Sequence, residues 1–252
     1  MARLAEESER LGSAGKGVCA GIVTNVDLCL GKAAGDIIDA HIAAAPRHLR
    51  GIRNITAHDP DDPNPYGNGA GVLLRDDFRA GFAELAPRGL SYDASPLHPQ
   101  LPELLDLARC FPETRIIIDH TGKPLKVGRY ANHRAEAMAE WASAMRELAR
   151  CPNVYLKLGG FNMDVDLAQS VSRPPTSEEA ARAYGDFFLT AIEVFGPQRC
   201  MFESNFPADK IGISYGVLWN SFKRVTSGFT VDEKKALFSG TAIAAYRLNI
   251  KY

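Results

Sequence analysis

The stretch Arg115-Ile-Ile-Ile-Asp-His-Thr-Gly-Lys-Pro124 decides the fold of this chain. Its three consecutive β-branched residues predict a strand that is buried on both faces, as in a parallel sheet. The strand gives way to Asp119 and His120, and the glycine and proline that follow predict a loop. Enzymes with α/β folds place their reactive groups at the carboxyl ends of such strands. His120 is therefore a candidate catalytic residue, and the simpler alternative is a histidine that caps the strand through one backbone hydrogen bond.

The length and composition indicate an ordinary globular protein. The chain has 252 residues, of which 46% are hydrophobic and 23% are charged. This length suits one large α/β domain or two small ones, and we expect a single domain over residues 1–252. The 29 basic and 30 acidic residues nearly balance, which argues against a nucleic-acid or anionic-membrane partner. No apolar run approaches the ~20 residues that span a bilayer, and the charged N-terminus lacks a signal-peptide core, so we expect a cytoplasmic protein.

The cysteines give no sign of a metal or disulfide site. There are five of them, widely scattered, and none forms a Cys-x-x-Cys pair. A zinc knuckle or a disulfide framework would need closer and paired spacing. Their pattern is typical of small hydrophobic residues in a core.

Short apolar runs alternate with helical stretches along the chain. This strict alternation predicts a parallel sheet with helices outside it. No Gly-x-Gly-x-x-Gly follows the first predicted strand, and no Gly-x-x-x-x-Gly-Lys-Ser/Thr occurs anywhere in the sequence, which disfavours a nucleotide-binding doubly wound fold. Six βα units are too few to close an eight-stranded barrel. The strands are expected at Val18 to Thr24, Gly51 to Thr56, Gly89 to Ala94, Ile116 to Ile118, Val154 to Gly160 and Cys200 to Pro207.

Polar residues gather where these strands end. Charged residues in apolar strands are costly unless they converge on a ligand, on water or on each other. We expect His120 to act as a general base or acid, oriented by Asp119, Asp93 or a backbone group. Arg53 and Lys157 would attract an anionic or carbonyl-bearing small molecule, although a lysine at a strand edge can also simply reach solvent. The remaining members of the set are Thr24, Asn25, Asn54, Tyr92, Glu203 and Asn205, and His98 directly follows a strand as a further candidate.

Six segments in this order resemble the amidohydrolase-related family, whose members are metal-dependent hydrolases with a distorted TIM barrel. The resemblance is to the branch that contains sugar lactonases and dicarboxylate lactonases, and it covers nearly the whole chain from about Val18. It implies a (β/α)8 TIM-barrel-like fold in which the first two strands are missing, so that the chain is an N-terminally shortened barrel. The matching segments are Gly51 to Arg53, Gly89 to Asp93, His98 to Leu101, Ile118 to Pro124, Val154 to Gly159 and Met201 to Pro207.

Two departures from the family pattern bear on activity. The family opens with a His-x-His motif that supplies two metal ligands, and this sequence contains no His-x-His. The family's last strand carries a catalytic Asp, and the matching residue here is Asn205, whose amide is a poor base and a weak ligand. Glu203 is expected on the same side of the strand as Asn205, one pleat deeper. We therefore assign no metal ligand, while the resemblance allows zinc or manganese as a divalent cofactor.

The expected function is hydrolysis of a lactone or similar ester of a small organic acid. In this interpretation His120 and Asn205 are catalytic, and Arg53, Tyr92, Asp93, His98, Lys157 and Glu203 bind the substrate. One alternative is a non-oxidative decarboxylase of the same superfamily. Another is a non-catalytic, truncated barrel, whose open strand edges beside an exposed apolar face would need cover from an N-terminal segment or a second copy in a homodimer.

Overall fold

The centre of the fold is a parallel sheet that follows the order of the chain. The computed structural model describes residues 1–11, 19–60, 69–125, 128–160 and 173–250. All six strands are parallel, and each one pairs with the next in sequence. The predicted α/β class and its six βα units are confirmed, while Val18, the expected start of the first strand, lies outside the described residues. The strands are β1 (Ile22–Thr24), β2 (Leu49–Ile55), β3 (Ser91–Ser95), β4 (Ile116–Ile118), β5 (Val154–Leu158) and β6 (Cys200–Phe202).

Helices connect the strands and follow the last of them. The last helical part of the chain consists of two short helices, Val231–Lys235 and Thr241–Tyr246, joined by one π-helical turn, Ala236–Gly240. No helix in the described ranges is both long and apolar enough to cross a membrane. The helices are α1 (Ala2–Leu11), α2 (Ala34–Ala44), α3 (Asp76–Phe82), α4 (Leu101–Cys110), α5 (Arg134–Ala149), α6 (Ser177–Phe195), α7 (Tyr215–Val225), α8 (Val231–Lys235) and α9 (Thr241–Tyr246).

Capping boxes fix the starts of α6 and α8. Thr230 accepts a hydrogen bond from the Glu233 backbone N–H, while Glu233 accepts one in return from the Thr230 backbone N–H. In α6 the cap is Thr176, which pairs with Glu179 in the same way, because Thr176 stands three residues before the glutamate that completes the box.

The two faces of the sheet pack against different parts of the chain. Ile116 and Ile118 point outward into the large core that the helices cover, and Tyr92 joins them there. Ile117 points to the opposite, inner face, where it packs with Met201 and Tyr246. Alternation of side chains along each strand produces this division. The inner face also carries the polar residues at the strand ends.

Candidate active site

A histidine–carboxylate pair forms the centre of the site. Glu203 Oε1 lies 2.7 Å from His120 Nδ1 and also accepts a hydrogen bond from the His120 backbone N–H at 2.9 Å. Burial alone would raise the pKa of Glu203, but the His120 side chain and the Lys157 ammonium hold it at about 2. Because an ionised carboxylate only accepts, His120 Nδ1 carries a hydrogen. Glu203 thus fixes the orientation of the imidazole, in the way a carboxylate orients a catalytic histidine.

The other imidazole nitrogen faces a guanidinium group. Arg53 Nη2 lies 3.0 Å from His120 Nε2. Arginine has donors only and stays charged in proteins, so Nε2 must present its lone pair. His120 is therefore the neutral tautomer with hydrogen on Nδ1, and its Nε2 is a base. The side chain of Arg53 is 35% exposed as a whole, although its Nε atom is buried beside Asp119.

Two buried aspartates share the site's cations. Lys157 Nζ lies 2.7 Å from Asp93 Oδ2 and 2.8 Å from Asp119 Oδ1. Asp119 Oδ2 lies 2.9 Å from Arg53 Nε, so that Asp119 bridges the lysine and the arginine. Burial alone would lower the pKa of Lys157, but the carboxylates of Asp93 and Asp119 raise it well above its usual value. The ammonium therefore stays charged, as it must to balance two carboxylates that solvent does not reach.

An unusual turn presents His120 at the end of β4. His120 and Thr121 have φ values of 54° and 56°, in the left-handed region that non-glycine residues rarely occupy. The Trp141 indole N–H donates to the Thr121 carbonyl at 2.7 Å, which helps to hold the turn in place. A Cβ on Gly160 would lie 2.5 Å from His120 Cβ, a distance that no real contact allows. Glycine at position 160 is thus required for the His120 ring to occupy its place, and not only as the end of a strand.

Five residues of the predicted set come together as the sequence predicts: Arg53, Asp93, His120, Lys157 and Glu203. Glu203, which was expected to bind the substrate, contacts the His120 ring. We expected Asp119, Asp93 or a backbone group to orient the His120 ring. The residue that orients it is Glu203. The expected alternation of Glu203 with Asn205 does not apply, because β6 ends at Phe202.

Tyr92 is a correction to the predicted set. Its ring packs at 5.1 Å and 6.1 Å from Phe82 and Phe78 of α3, on the outer face of the sheet. Neighbouring residues of a strand point to opposite faces, so Tyr92 cannot line the same site as Asp93. Tyr92 is a core residue.

His98 is also bound elsewhere. Its Nδ1 accepts a hydrogen bond from the Leu125 backbone N–H at 2.9 Å, and its ring packs at 4.5 Å from the ring of Tyr130. Burial lowers the pKa of His98, which favours a neutral ring. These contacts give His98 a structural role in holding the loop that follows β4.

Asn205 is tied to a second carboxylate. Its Nδ2 donates to Asp209 Oδ1 at 2.8 Å, and the Asn205 side-chain carbonyl oxygen has no hydrogen-bond partner among the residues that the structure describes. Asp209 is fully buried. Asn205 can therefore act toward a ligand as an acceptor.

Sequence reasoning missed Tyr246. Its hydroxyl donates to Asp93 Oδ2 at 2.7 Å, across 153 residues of sequence. No local pattern marks such a contact, because Tyr246 belongs to a short helix that is far from any strand along the sequence.

Comparison with known proteins places these residues in a family context. The chain is 40% identical over 214 residues to an uncharacterised protein of Sinorhizobium fredii, covering 85% of this chain and 65% of that protein. It is 30% identical over 173 residues to an L-fucono-1,5-lactonase of Burkholderia multivorans, covering 68% of this chain and 56% of the lactonase. The chain thus matches less than two thirds of the length of these two relatives.

A solved structure shares the fold. A crystal structure of an amidohydrolase from Burkholderia multivorans with bound HEPES superposes with a TM-score of 0.68 at 28% identity, covering 84% of this chain and 69% of that one. The same amidohydrolase crystallised with bound zinc superposes with a TM-score of 0.66 at 23% identity, covering 91% and 84%. The expected TIM-barrel relationship is confirmed.

The related amidohydrolase crystallised with zinc binds a divalent metal, but the donors described in this chain do not fit one. In the described ranges, no three His, Cys, Asp or Glu side chains come together to hold a metal ion. Asp93 and Asp119 are engaged by Lys157 and Arg53, and His120 Nε2 faces a guanidinium. Protein cations occupy the positions around the carboxylates where a metal would have to bind.

The family itself is established by a match over almost the whole chain. The family model described as "Amidohydrolase" matches residues 9–248. The resemblance found in the sequence is therefore confirmed, together with its lactonase-like relatives. This chain belongs to the amidohydrolase family.

Proposed function

We propose that this protein hydrolyses an uncharged lactone of a small sugar-like acid. The observation that carries the proposal is the state of His120. Glu203 holds its Nδ1–H, and its Nε2 lone pair lies beside the guanidinium of Arg53, whose side chain is partly exposed. A base next to an oxyanion-binding cation is what ester and lactone hydrolysis requires. Two relatives named L-fucono-1,5-lactonase, each 30% identical to this chain, support the same class of substrate.

The charge of the site favours a neutral substrate. Among the described residues, the three carboxylates Asp93, Asp119 and Glu203 face two cations, Arg53 and Lys157. With His120 neutral, the site carries one net negative charge. Burial raises the pKa of Asp93, and a proton there would bring the sum only to zero. A site of this kind attracts a carbonyl group more readily than a dicarboxylate.

The same charge argues against the decarboxylase alternative. A decarboxylase must bind the carboxylate of an aromatic or related acid before it releases CO₂. Both cations that would bind this group are already paired with buried aspartates. An acidic substrate would therefore have to displace an ion pair to enter.

The chain's own residues supply a complete hydrolytic step. A water molecule attacks the lactone carbonyl and transfers its proton to His120 Nε2, while Glu203 stabilises the imidazolium that forms. The carbonyl electron pair moves onto the oxygen, which then accepts hydrogen bonds from Arg53. When the tetrahedral carbon expels the ring oxygen, the imidazolium returns the proton to it, and the products are the open hydroxy acid and the neutral base.

Two other residues have defined parts in this step. Arg53 must move its Nη2 from His120 to the substrate oxygen, which exposes the Nε2 lone pair as the substrate binds. The side-chain carbonyl oxygen of Asn205, whose amide nitrogen is engaged by Asp209, can accept a hydrogen bond from the attacking water or from a substrate hydroxyl. Lys157 remains paired with Asp93 and Asp119 and keeps these two carboxylates in position.

Substrate charge and product identity test the proposal together. The purified protein is assayed with L-fucono-1,5-lactone, with a lactone of equal ring size that carries two carboxylates, and with a hydroxybenzoic acid. We expect acid release from the neutral lactone, a value of kcat/KM at least about tenfold lower for the carboxylated one, and no CO₂ from the aromatic acid. Release of CO₂ would instead support the decarboxylase, and no reaction of the folded protein with any of the three would support the non-catalytic barrel.

A further inference from the structure

The C-terminal helix covers the inner face of the open sheet. Ala242, Ala245 and Tyr246 of α9, with Leu248 just beyond it, pack against inner-face residues of four strands. The strand residues in this cluster are Val23 of β1, Ile117 of β4, Tyr155 of β5 and Met201 of β6. In the truncated-barrel alternative, an exposed apolar face beside the open strand edges would need cover from an N-terminal segment or a second copy. The chain's own C-terminal segment covers these inner-face residues.

One side chain links this helix to the charged residues above it. Tyr246 donates its hydroxyl hydrogen to Asp93 Oδ2 at 2.7 Å, and Lys157 Nζ lies 2.7 Å from the same oxygen. Lys157 Nζ also lies 5.7 Å from the centre of the Tyr246 ring, within the range of a cation–π contact. Burial and the Asp93 carboxylate raise the pKa of Tyr246 well above its usual value, so that the hydroxyl remains a donor.

The contacts continue from Tyr246 to the imidazole without a break. Lys157 forms ion pairs with both Asp93 and Asp119, and Asp119 forms a further ion pair with Arg53 Nε. The Nη2 atom of the same arginine is within hydrogen-bond distance of His120 Nε2. With two donors on its Oδ2, Asp93 needs only part of the lysine charge. Without the hydroxyl, Asp93 would draw the ammonium toward itself and away from Asp119. Asp119 would then pull harder on Arg53, whose guanidinium is shared with His120.

We propose that Tyr246 is a positioning residue, which sets the place of Arg53 on His120 through the Asp93–Lys157–Asp119 ion pairs. The C-terminal helix is thereby a part of the active site as well as the cover of the sheet's inner face. As far as turnover is concerned, this inference rests on the proposed lactone hydrolysis. The geometry of His120 can be followed without any substrate.

The test compares two tyrosine-to-phenylalanine variants that each lose one buried hydroxyl. Tyr246→Phe removes the bond to Asp93, whereas the Tyr92 hydroxyl has no hydrogen-bond partner among the described residues, so Tyr92→Phe is the matched control. The first readout is the long-range ¹H–¹⁵N spectrum of the six histidines, in which His120→Ala identifies the His120 signals. The second is kcat and KM on the neutral lactone.

We expect Tyr246→Phe to move the His120 Nε2 resonance and to lower kcat roughly ten- to a hundredfold, with KM changed less than about twofold. Tyr92→Phe should leave both readouts at their wild-type values. Unchanged His120 signals in folded Tyr246→Phe would overturn the inference. If Tyr246→Phe does not fold, Asp93→Asn weakens the same contact from its other partner, and unchanged His120 signals there would equally overturn it.

The two proposals can fail separately. A wild-type protein that does not hydrolyse lactones refutes the proposed function, while the histidine spectrum still decides the role of Tyr246. A lactonase whose His120 signals ignore Tyr246→Phe refutes only the positioning role.

Discussion

Tyr92 and Asp93 are neighbours on β3 with 0% and 1% of their surface exposed. Different interactions stabilise the two buried side chains. Tyr92 lies on the outer face among aromatic rings, where apolar contact stabilises it. Asp93 lies on the inner face, where Lys157 and Tyr246 must compensate its charge. Well-packed apolar side chains often stabilise a core as much as buried ion pairs do. Inner-face charges of this kind are thus poorly explained by stability and well explained by a binding site.

The largest difference between the two faces should appear when Lys157 is replaced. Lys157→Met leaves Asp93 and Asp119 buried without their shared cation, and we expect the free energy of unfolding to fall by about 3–5 kcal/mol. Urea denaturation followed by circular dichroism measures it. Adding Asp93→Asn and Asp119→Asn to Lys157→Met should recover part of the loss. A loss below about 1 kcal/mol would indicate that water screens these charges and that the inner face is not a dry site.

Acid should weaken the inner face through Glu203. Its pKa is held at about 2 in the folded protein against an ordinary 4.5, so its contribution to stability is complete above pH 4.5 and is lost as the pH falls toward 2. The shift corresponds to roughly 3 kcal/mol. Unfolding measured between pH 5 and 2.5 should show this slope in the wild type and a flatter one in Glu203→Gln. Equal slopes would mean that the His120–Glu203 pair does not form.

Gly160→Ala should destabilise the site by more than the cost of placing an alanine at a positive φ, because its side chain would also clash with His120. The new Cβ would meet His120 at 2.5 Å, and we expect a loss of about 1–3 kcal/mol together with reduced turnover. Gly196→Ala is the control, because Gly196 has a φ of 79° against 77° for Gly160, and its new Cβ would lie 3.6 Å from Gln198 Oε1, an ordinary contact distance. Stability curves and lactone turnover of both variants separate the clash from the backbone cost. Similar turnover in the two variants would mean that position 160 does not constrain His120.

The smallest effect should come from the outer face. Tyr92→Phe removes a buried hydroxyl that has no hydrogen-bond partner in the described part of the chain, so no bond is lost. We expect a change in the free energy of unfolding within about 0.5 kcal/mol, of either sign. A loss of more than 1 kcal/mol in urea denaturation would reveal a partner for the hydroxyl and return Tyr92 to the candidate site.

The fold followed from the sequence because its signals are local. The triple isoleucine, its flanking loop and the regular alternation of strands and helices each depend on a few neighbouring residues. The same local reasoning located His120, Arg53, Asp93 and Lys157 at strand ends. It failed for Tyr92. A tyrosine that packs among aromatic rings and one that lines a polar site look alike in the sequence, until the alternation of side chains along the strand is used to assign each residue to a face.

The rest of the site depends on contacts between distant residues. Glu203 lies 83 residues from His120, and its role depends on β6 ending one residue before it. Gly160 is needed because of a ring that belongs to a residue 40 positions earlier in the chain, and the Tyr246–Asp93 bond joins residues 153 positions apart. Each of these contacts requires knowing how strands and helices meet, which a single sequence does not contain.

The turnover of His120→Ala on a neutral lactone shows whether His120 is the general base. The wild-type chain should release acid, and His120→Ala should do so about 10²- to 10⁴-fold more slowly, as is usual when a general base is lost. Tyr92→Phe should match the wild type in the same assay. If His120→Ala hydrolyses the lactone as fast as the wild type does, the inner-face histidine is not the base and the account is wrong.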